Sequence, residues 1–453
     1  MSQQRRRRVQ LEELAQINLD AGGLDIGASE IWACVPADRD EEGVRCFKTF
    51  TPDLHALADW LADCGITTVA MESTSIYWIP IYEILESRGM RVCLVNAQAT
   101  KNVSGRKTDV VDCQWIQQLH TYGLLAASFR PPADVCVLRS YVRQRESLLQ
   151  QRAREIQHVQ KALHLMNLKL TTVITDLTGL TGMQIIRAIL AGERDPVVLA
   201  RFRDPRCKSS EAEIAKALTG NYQPEHLFAL RQAVEGLDFY TGQLVACDAE
   251  IEAHYAVFHP QVDLLEQPLP NEKRRHRPNH PNYDLRTHLY LTAGVDLTAI
   301  HGIDVLLAQD ILAEIGTDMS QWKTEKHFAS WLGLAPNNKS SAGKVFSRHT
   351  RATSNRAATA FRLAAQSAHR SQNALGAFYR RIKAKHGAPV AITATAHKLA
   401  RIVYQMLKHR TPYIDPGLDA YFDQQRQRAL RSLHRLAHKL GFQLVSVSQP
   451  AVS

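Results

Sequence analysis

The chain has 453 residues, 45% hydrophobic and 22% charged, with 55 Lys and Arg against 45 Asp and Glu for a formal net charge of +10. That length calls for roughly two to four domains, and the composition is that of an ordinary globular protein, which excludes fibrous and wholly disordered classes. No apolar run reaches the ~18–20 residues of a membrane-spanning helix, which argues against channels and transporters, while the basic excess favours a polyanionic partner.

The chain opens with "MSQQRRRRVQ". The charge has no apolar core behind it, so the segment is not a signal peptide. A disordered basic arm is expected over 1–21, touching nucleic acid or simply aiding solubility.

Residues 22–130 alternate strands and helices. "GLDIGA" is a short strand with a glycine turn, and "EIWACVPA" and "GVRCFKTF" alternate like strands around the polar "DRDEEG". Thr51 is placed to cap a helix through "DLHALADWLADCG", closed by Gly65. An apolar strand, "ITTVAME", precedes a helix through "WIPIYEILESRG", and "MRVCLVNA" is a further strand. After the basic loop that holds Lys101, Arg106 and Lys107, Thr108 is placed to cap a helix beginning at Asp109. The order βββαβαβα is that of the ribonuclease H-like fold. A doubly wound dinucleotide fold would begin β-α-β with G-x-G-x-x-G at its first turn; neither that pattern nor G-x-x-x-x-G-K-[ST] occurs. The eight cysteines include no C-x-x-C pair and no zinc-finger spacing, so reduced, buried thiols in a cytoplasmic protein are expected.

The character changes at a proline break. Residues 131–257 read as a helical, coiled-coil or dimerisation region, with one long helix near 135–165 and a second near 225–256 that could pair with it. Residues 258–290, with "KRRHR", read as a basic linker. A mostly helical domain follows over 291–413, then a basic helical tail over 414–453. The expected fold class is therefore α/β plus all-α.

In that fold order Asp25 lies on the first strand, Glu72 at the end of the fourth, and Asp109 and Asp112 at the start of the last helix, across the ends of strands one and four. Two residues three apart share one helix face, and the helix N-terminus eases negative charge. Four carboxylates together repel unless a cation sits among them, and hard oxygen ligands select Mg²⁺ or Mn²⁺. Two such ions can serve phosphoryl transfer. Taken singly, such acids are more usually a turn residue, a helix-end charge or a solvated strand end; it is their joint placement that points to a metal site.

The last domain opens with "LTAIHGIDVLLAQDILAEIG", either a helix-hairpin-helix that offers backbone N–H groups to DNA phosphates or a plain αα-hairpin. Next, "FASWLGLAPNNKSSAGKVFSRHT" presents Ser340 and Ser341 among Lys339, Lys344 and Arg348, with Arg351 and Arg356 following. Small neighbours leave a serine hydroxyl accessible and the cations suit a phosphate, but a flexible Ser/Gly loop fits the same composition.

Taken in order, "GLDIGAS", "MESTSIYW", "VNAQATKNVSGRKTDVVDCQW", "IHGIDVLLAQDILAEIG" and "FASWLGLAPNNKSSAGK" resemble the DEDD insertion-sequence transposases, or bridge recombinases, which are related to the Piv-type DNA invertases. The resemblance covers about 22–130 and 291–412. It implies a RuvC-like N-terminal domain whose acidic tetrad maps to Asp25, Glu72, Asp109 and Asp112. It implies a C-terminal transposase domain with a nucleophilic serine, best matched by Ser341 and next by Ser340. It also implies double-stranded DNA as substrate, a homo-oligomer with composite sites shared between subunits, and in some members guidance by a structured RNA. Two departures stand out: "HGID" lacks the second glycine often found there, and the middle region, about 165–255 with "TDLTGLTGMQII", is long and carries no assignable chemistry. The rival readings are a RuvC-like nuclease or junction resolvase using water, an actin-like kinase, whose second D-x-G turn is missing, and a non-catalytic nucleic-acid binder.

Overall fold

The computed structural model describes residues 14–73, 75–96, 109–270, 279–341, 344–347 and 349–445, with 339, 341, 344 and 345 described by backbone alone. The basic arm to residue 13, the loop with Lys101, Arg106, Lys107 and Thr108, the "KRRHR" run and Arg348 lie outside the described residues. The chain divides into two compact units, 1–130 and 131–453.

The first unit holds β1 (Ala21–Ile26), β2 (Glu30–Cys34), β3 (Val44–Lys48), α1 (Thr51–Asp63), β4 (Thr68–Glu72), α2 (Trp78–Ser87), β5 (Arg91–Val95) and α3 (Asp109–Thr121). The sheet order is β3-β2-β1-β4-β5. The three leading strands pair antiparallel, whereas β1–β4 and β4–β5 are parallel. β1 and β4 are almost wholly buried, as strands covered on both faces must be. One face carries Leu24, Val69 and Met71 into a core with Leu54, Leu57, Leu61, Ile81 and Leu85 of α1 and α2.

Two local expectations change. Phe50, not Thr51, is the residue preceding α1, and it makes no side-chain cap bond. Pro52 stands in the first turn, where its fixed φ and missing N–H suit a helix start, so Thr51 is already helical. The stretch just before β1 is not a free arm either: the Ile17 and Asn18 N–H groups donate to the Thr121 carbonyl at 2.8 and 3.0 Å.

Among its described residues the second unit has one β-hairpin, and its other regular elements are helices. Its elements are α4 (Ala133–Leu165), α5 (Leu170–Val173), α6 (Leu180–Leu190), α7 (Pro196–Ala200), α8 (Glu211–Leu218), α9 (Pro224–His254), α10 (Leu285–Ala293), α11 (Val305–Ile315), α12 (Glu325–Trp331), β6 (Lys339–Ser341), β7 (Lys344–Ser347), α13 (Arg356–Ala368), α14 (Ala374–His386), α15 (Ala388–His409) and α16 (Gly417–Lys439). The long helices α4 and α9 run antiparallel against each other within one chain, with His254 bonded to the Asp134 carbonyl at 2.8 Å near one end and Glu155 against Gly236 toward the other. The short helices between them close a core of Leu163, Ile185, Ile186, Leu199, Ile214 and Leu230. α10 begins inside the stretch expected to be linker because Asp284 caps it, accepting from the Thr287 N–H at 3.2 Å. Among the described residues no helix is long and apolar enough to cross a membrane.

Arg145 of α4 is buried and donates to Asp248 of α9 at 2.5 Å and to the Asn279 carbonyl at 2.9 Å. Breaking one side of a buried ion pair leaves a charge without compensation. Asp248→Ala should therefore lower the unfolding free energy of this unit by about 3–5 kcal/mol in urea titration, and Arg145→Leu combined with Asp248→Leu should restore much of that loss.

Candidate active site

The site is built from the seating of α3 on the sheet. A Cβ at Gly23 of β1 would stand 2.4 Å from the Gln117 nitrogen and 2.5 Å from the Cys113 carbonyl oxygen. Only glycine lets the helix backbone come that close. The Gln117 side-chain amide donates to the Ala21 carbonyl at 3.2 Å, and the His120 Nε2 and Thr68 Oγ1 lie 2.9 Å apart. So α3 runs antiparallel to β1 and β4, with its C-terminal end over their starts and its first turn over their ends.

This direction brings the four carboxylates to one end and one face of the sheet. Side chains alternate along a strand, so Asp25 shares the α3 face with Gly23. The β1–β4 register pairs Gly23 with Ala70 and Leu24 with Met71; one step further Asp25 stands beside Glu72 on that face. Asp25 is also opposite Trp32, which is opposite Cys46, so one row crosses the sheet. On α3, one turn before Cys113 leads to Asp109, a helical step of about 6 Å that matches the two strand residues from Gly23 to Asp25. Asp25, Glu72 and Asp112 are half-buried and Asp109 is exposed.

The thiols around this row report the charges. Cys113 is pushed up by its bond with the Cys34 thiol and by burial, and the Asp25 charge adds to the shift. Burial also raises Cys46, helped by Glu30 and more weakly by Asp109. The donor set, four carboxylates, suits Mg²⁺ or Mn²⁺. Yet among the described residues no three Asp, Glu, His or Cys side chains stand close enough to hold an ion as placed. The four share an end of the sheet without closing into a cage.

The serine stretch is a two-stranded hairpin, not a structureless loop. β6 and β7 pair antiparallel, with Ser340 opposite Val345 and Ser341 opposite Lys344 at the tip. The hairpin base is tied by the Pro336–Thr350 bridge and by the Asn337 N–H donating to the His349 carbonyl at 3.0 Å. Arg351 is exposed and reaches the Trp331 carbonyl only at 3.5 Å, while Arg356 begins α13 and pairs with Glu146 of α4. The expected helical hairpin around Gly302 is shorter than its sequence reads: a 3-10 turn, Leu297–Ala299, replaces the first helix. Gly302 has φ +103, and a Cβ there would meet the Ala364 carbonyl at 2.4 Å, so this glycine serves packing on α13. Asp304 caps α11, accepting from the Leu307 N–H at 3.0 Å.

Sequence reasoning passed over Asp310 of α11. It reaches solvent, but partial desolvation, with the carboxylates of Glu146, Glu314 and Asp304, pushes it up to about 6. The i, i+4 spacing of Asp310 and Glu314 was the available signal. Neither Gly23 nor the Cys34–Cys113 contact had one.

A mixed sheet of this order, with carboxylates at the ends of its two central strands and a helical unit after it, is the build of a ribonuclease H-like, RuvC-type nuclease domain joined to a helical partner. Residues 22–167 match the family model for the DEDD transposase of IS110 elements, and residues 294–380 match the model for transposases of the IS116/IS110/IS902 family. Together these spans take in just over half of the chain, which belongs to the IS110 family of transposases, enzymes that cut and rejoin DNA. No curated protein matches it.

Two outcomes test the seating of α3. Gly23→Val should destabilise the first unit by about 1–3 kcal/mol through overpacking and abolish DNA cleavage. His120 is held down to about 4 by burial and the nearby Arg91 cation. Its folded value lies below the ordinary 6.5, so an unfolded chain takes up a proton that the folded one refuses. Its stabilisation is full above about pH 6.5 and lost as pH falls towards 4. Thermal unfolding across that window should show a midpoint that drops less in His120→Gln than in the parent.

Proposed function

We propose that the chain is the recombinase of its own insertion sequence, cutting element and target DNA through a covalent serine–DNA intermediate and guided by a structured RNA. The observation that carries this reading is the arrival of Asp25, Glu72, Asp109 and Asp112 at one end and face of the sheet, in a chain whose family match also spans the Ser341 hairpin.

In this reading the four carboxylates would hold Mg²⁺ or Mn²⁺, which when bound supplies positive charge for the developing charge on phosphate and leaving oxygen. Ser341 Oγ attacks phosphorus; the P–O3′ bond breaks as the P–Oγ bond forms, and the serine proton is balanced by protonation of the departing 3′-oxygen. The phosphoserine link conserves the diester for rejoining. Ser341 rests on its place at the hairpin tip opposite Lys344, and Ser340 is the alternative one residue back. Lys101, Arg106, Lys107, Lys339, Lys344, Arg348, Arg351 and Arg356 are the proposed phosphate contacts, with Arg356 first having to leave Glu146. A homo-oligomer acting on two duplexes completes the proposal.

Asp112→Asn or Glu72→Gln should reduce strand cleavage by at least about a hundredfold while leaving DNA binding in place. Ser341→Ala should abolish the covalent protein–DNA adduct seen on denaturing gels. Cleavage that persists in Ser341→Ala and Ser340→Ala would instead support a RuvC-like nuclease that uses water. Sequencing the nucleic acid that co-purifies with the protein tests guidance: a recurrent structured RNA supports it, and random fragments refute it.

A further inference from the structure

The tail helix α16 is 23 residues long, but its packing on the rest of the chain ends almost at its start. Among the described residues Tyr421 is the one buried member of the helix, set against Ala374, Ala377 and Phe378 of α14. Beyond it the apolar side chains stand in solvent: Phe422 is 58% exposed, Leu433 51%, Leu436 54% and Leu440, just past the helix end, 63%.

The pattern of these residues is not that of a general apolar face. Phe422, Arg426, Ala429, Leu433, Leu436 and Leu440 follow one another at alternating steps of four and three residues, the a and d seam of a coiled coil. A seam this narrow suits another helix better than a bilayer surface, which takes a broader apolar face. The cations Arg428, Arg431 and Arg435 occupy outer positions. The positions flanking the seam are Asp423, Gln425, Leu430, Ser432, Ala437 and Lys439, with one cation among them. An identical helix therefore meets almost no like charge there, and an acidic partner finds little to recognise. Nucleic acid would engage the arginine side and leave the leucines in water.

The ends of the helix set the direction. Asp419 and Asp423 stand in its first two turns, and Arg435 and Lys439 in its last two. Antiparallel pairing lays the acidic start beside the basic end. It sets Phe422 against Leu440, Ala429 against Leu433 and Arg426 against Leu436 of the other copy. It also holds the two Arg426 side chains about 15 Å apart along the axis, where a parallel pair would force them together. We propose that α16 is an interaction surface for a second copy of this chain, pairing antiparallel with its own counterpart. The proposal does not depend on the serine chemistry.

The test is sedimentation equilibrium of the full-length protein, freed of nucleic acid, over a range of concentration. Leu433→Asp with Leu436→Asp should weaken self-association by about tenfold or more, a shift of one decade or greater in the dissociation constant. Arg426→Leu removes the polar residue from the seam and should tighten it by a similar factor, an effect no misfolded variant would give. Arg428→Gln with Arg431→Gln, on the outer face and away from the paired ends, should leave it unchanged. Association indifferent to the leucine and Arg426 substitutions overturns the proposal. So does an outcome in which the leucine pair instead abolishes binding to phosphatidylserine vesicles, or the arginine pair abolishes RNA binding, with the oligomeric state unmoved.

Discussion

The contact between Gly23 and the backbone of α3 governs the rest of the first unit. With no side chain at that position, the Cys113 carbonyl and the Gln117 N–H settle directly over β1. That approach fixes the height and direction of the helix, and with them the level at which its first turn meets the strand ends. The bond between His120 and Thr68 and the Gln117 amide on Ala21 hold the other end. Packing thereby sets Asp109 and Asp112 at the same end of the sheet as Asp25 and Glu72.

The second unit applies different physics. Its long helices α4 and α9 cover each other inside one chain, pinned by the buried Arg145–Asp248 pair. Around them, arginines repeatedly meet carboxylates of distant helices: Arg139 and Arg143 meet Glu314, and Arg356 meets Glu146. A basic chain thus commits some of its cations internally, so net charge alone overstates the surface offered to a phosphate backbone. The hairpin that carries Ser341 is closed at its base by the Pro336–Thr350 bridge.

The order of the first unit was legible because its strands alternate and its helices end at glycine, a signal that depends on neighbouring residues only. The positions of Asp25, Glu72, Asp109 and Asp112 on their elements followed from that order. What was not legible depends on distant partners. Nothing in "AGGLDI" announces that a helix ninety residues later lies on its second glycine. The cap position of α1 passed from Thr51 to Phe50 because Pro52 takes the first turn. Residues 17 and 18 were expected to be free, but are held by the end of α3. The serine stretch, rich in Ser, Gly and Asn, has the composition of a loop and the pairing of a hairpin.

The central claim is that the four carboxylates at the ends of β1 and β4 and the first turn of α3 act together on a divalent cation. Crystals of the protein soaked in Mn²⁺ test it most directly, through anomalous density. The account predicts a peak bridging Asp25 and Glu72, with the carboxylates of Asp109 or Asp112 drawn towards it, and loss of that peak in Asp25→Asn. Manganese bound elsewhere in the molecule, with none at the strand ends, would contradict it.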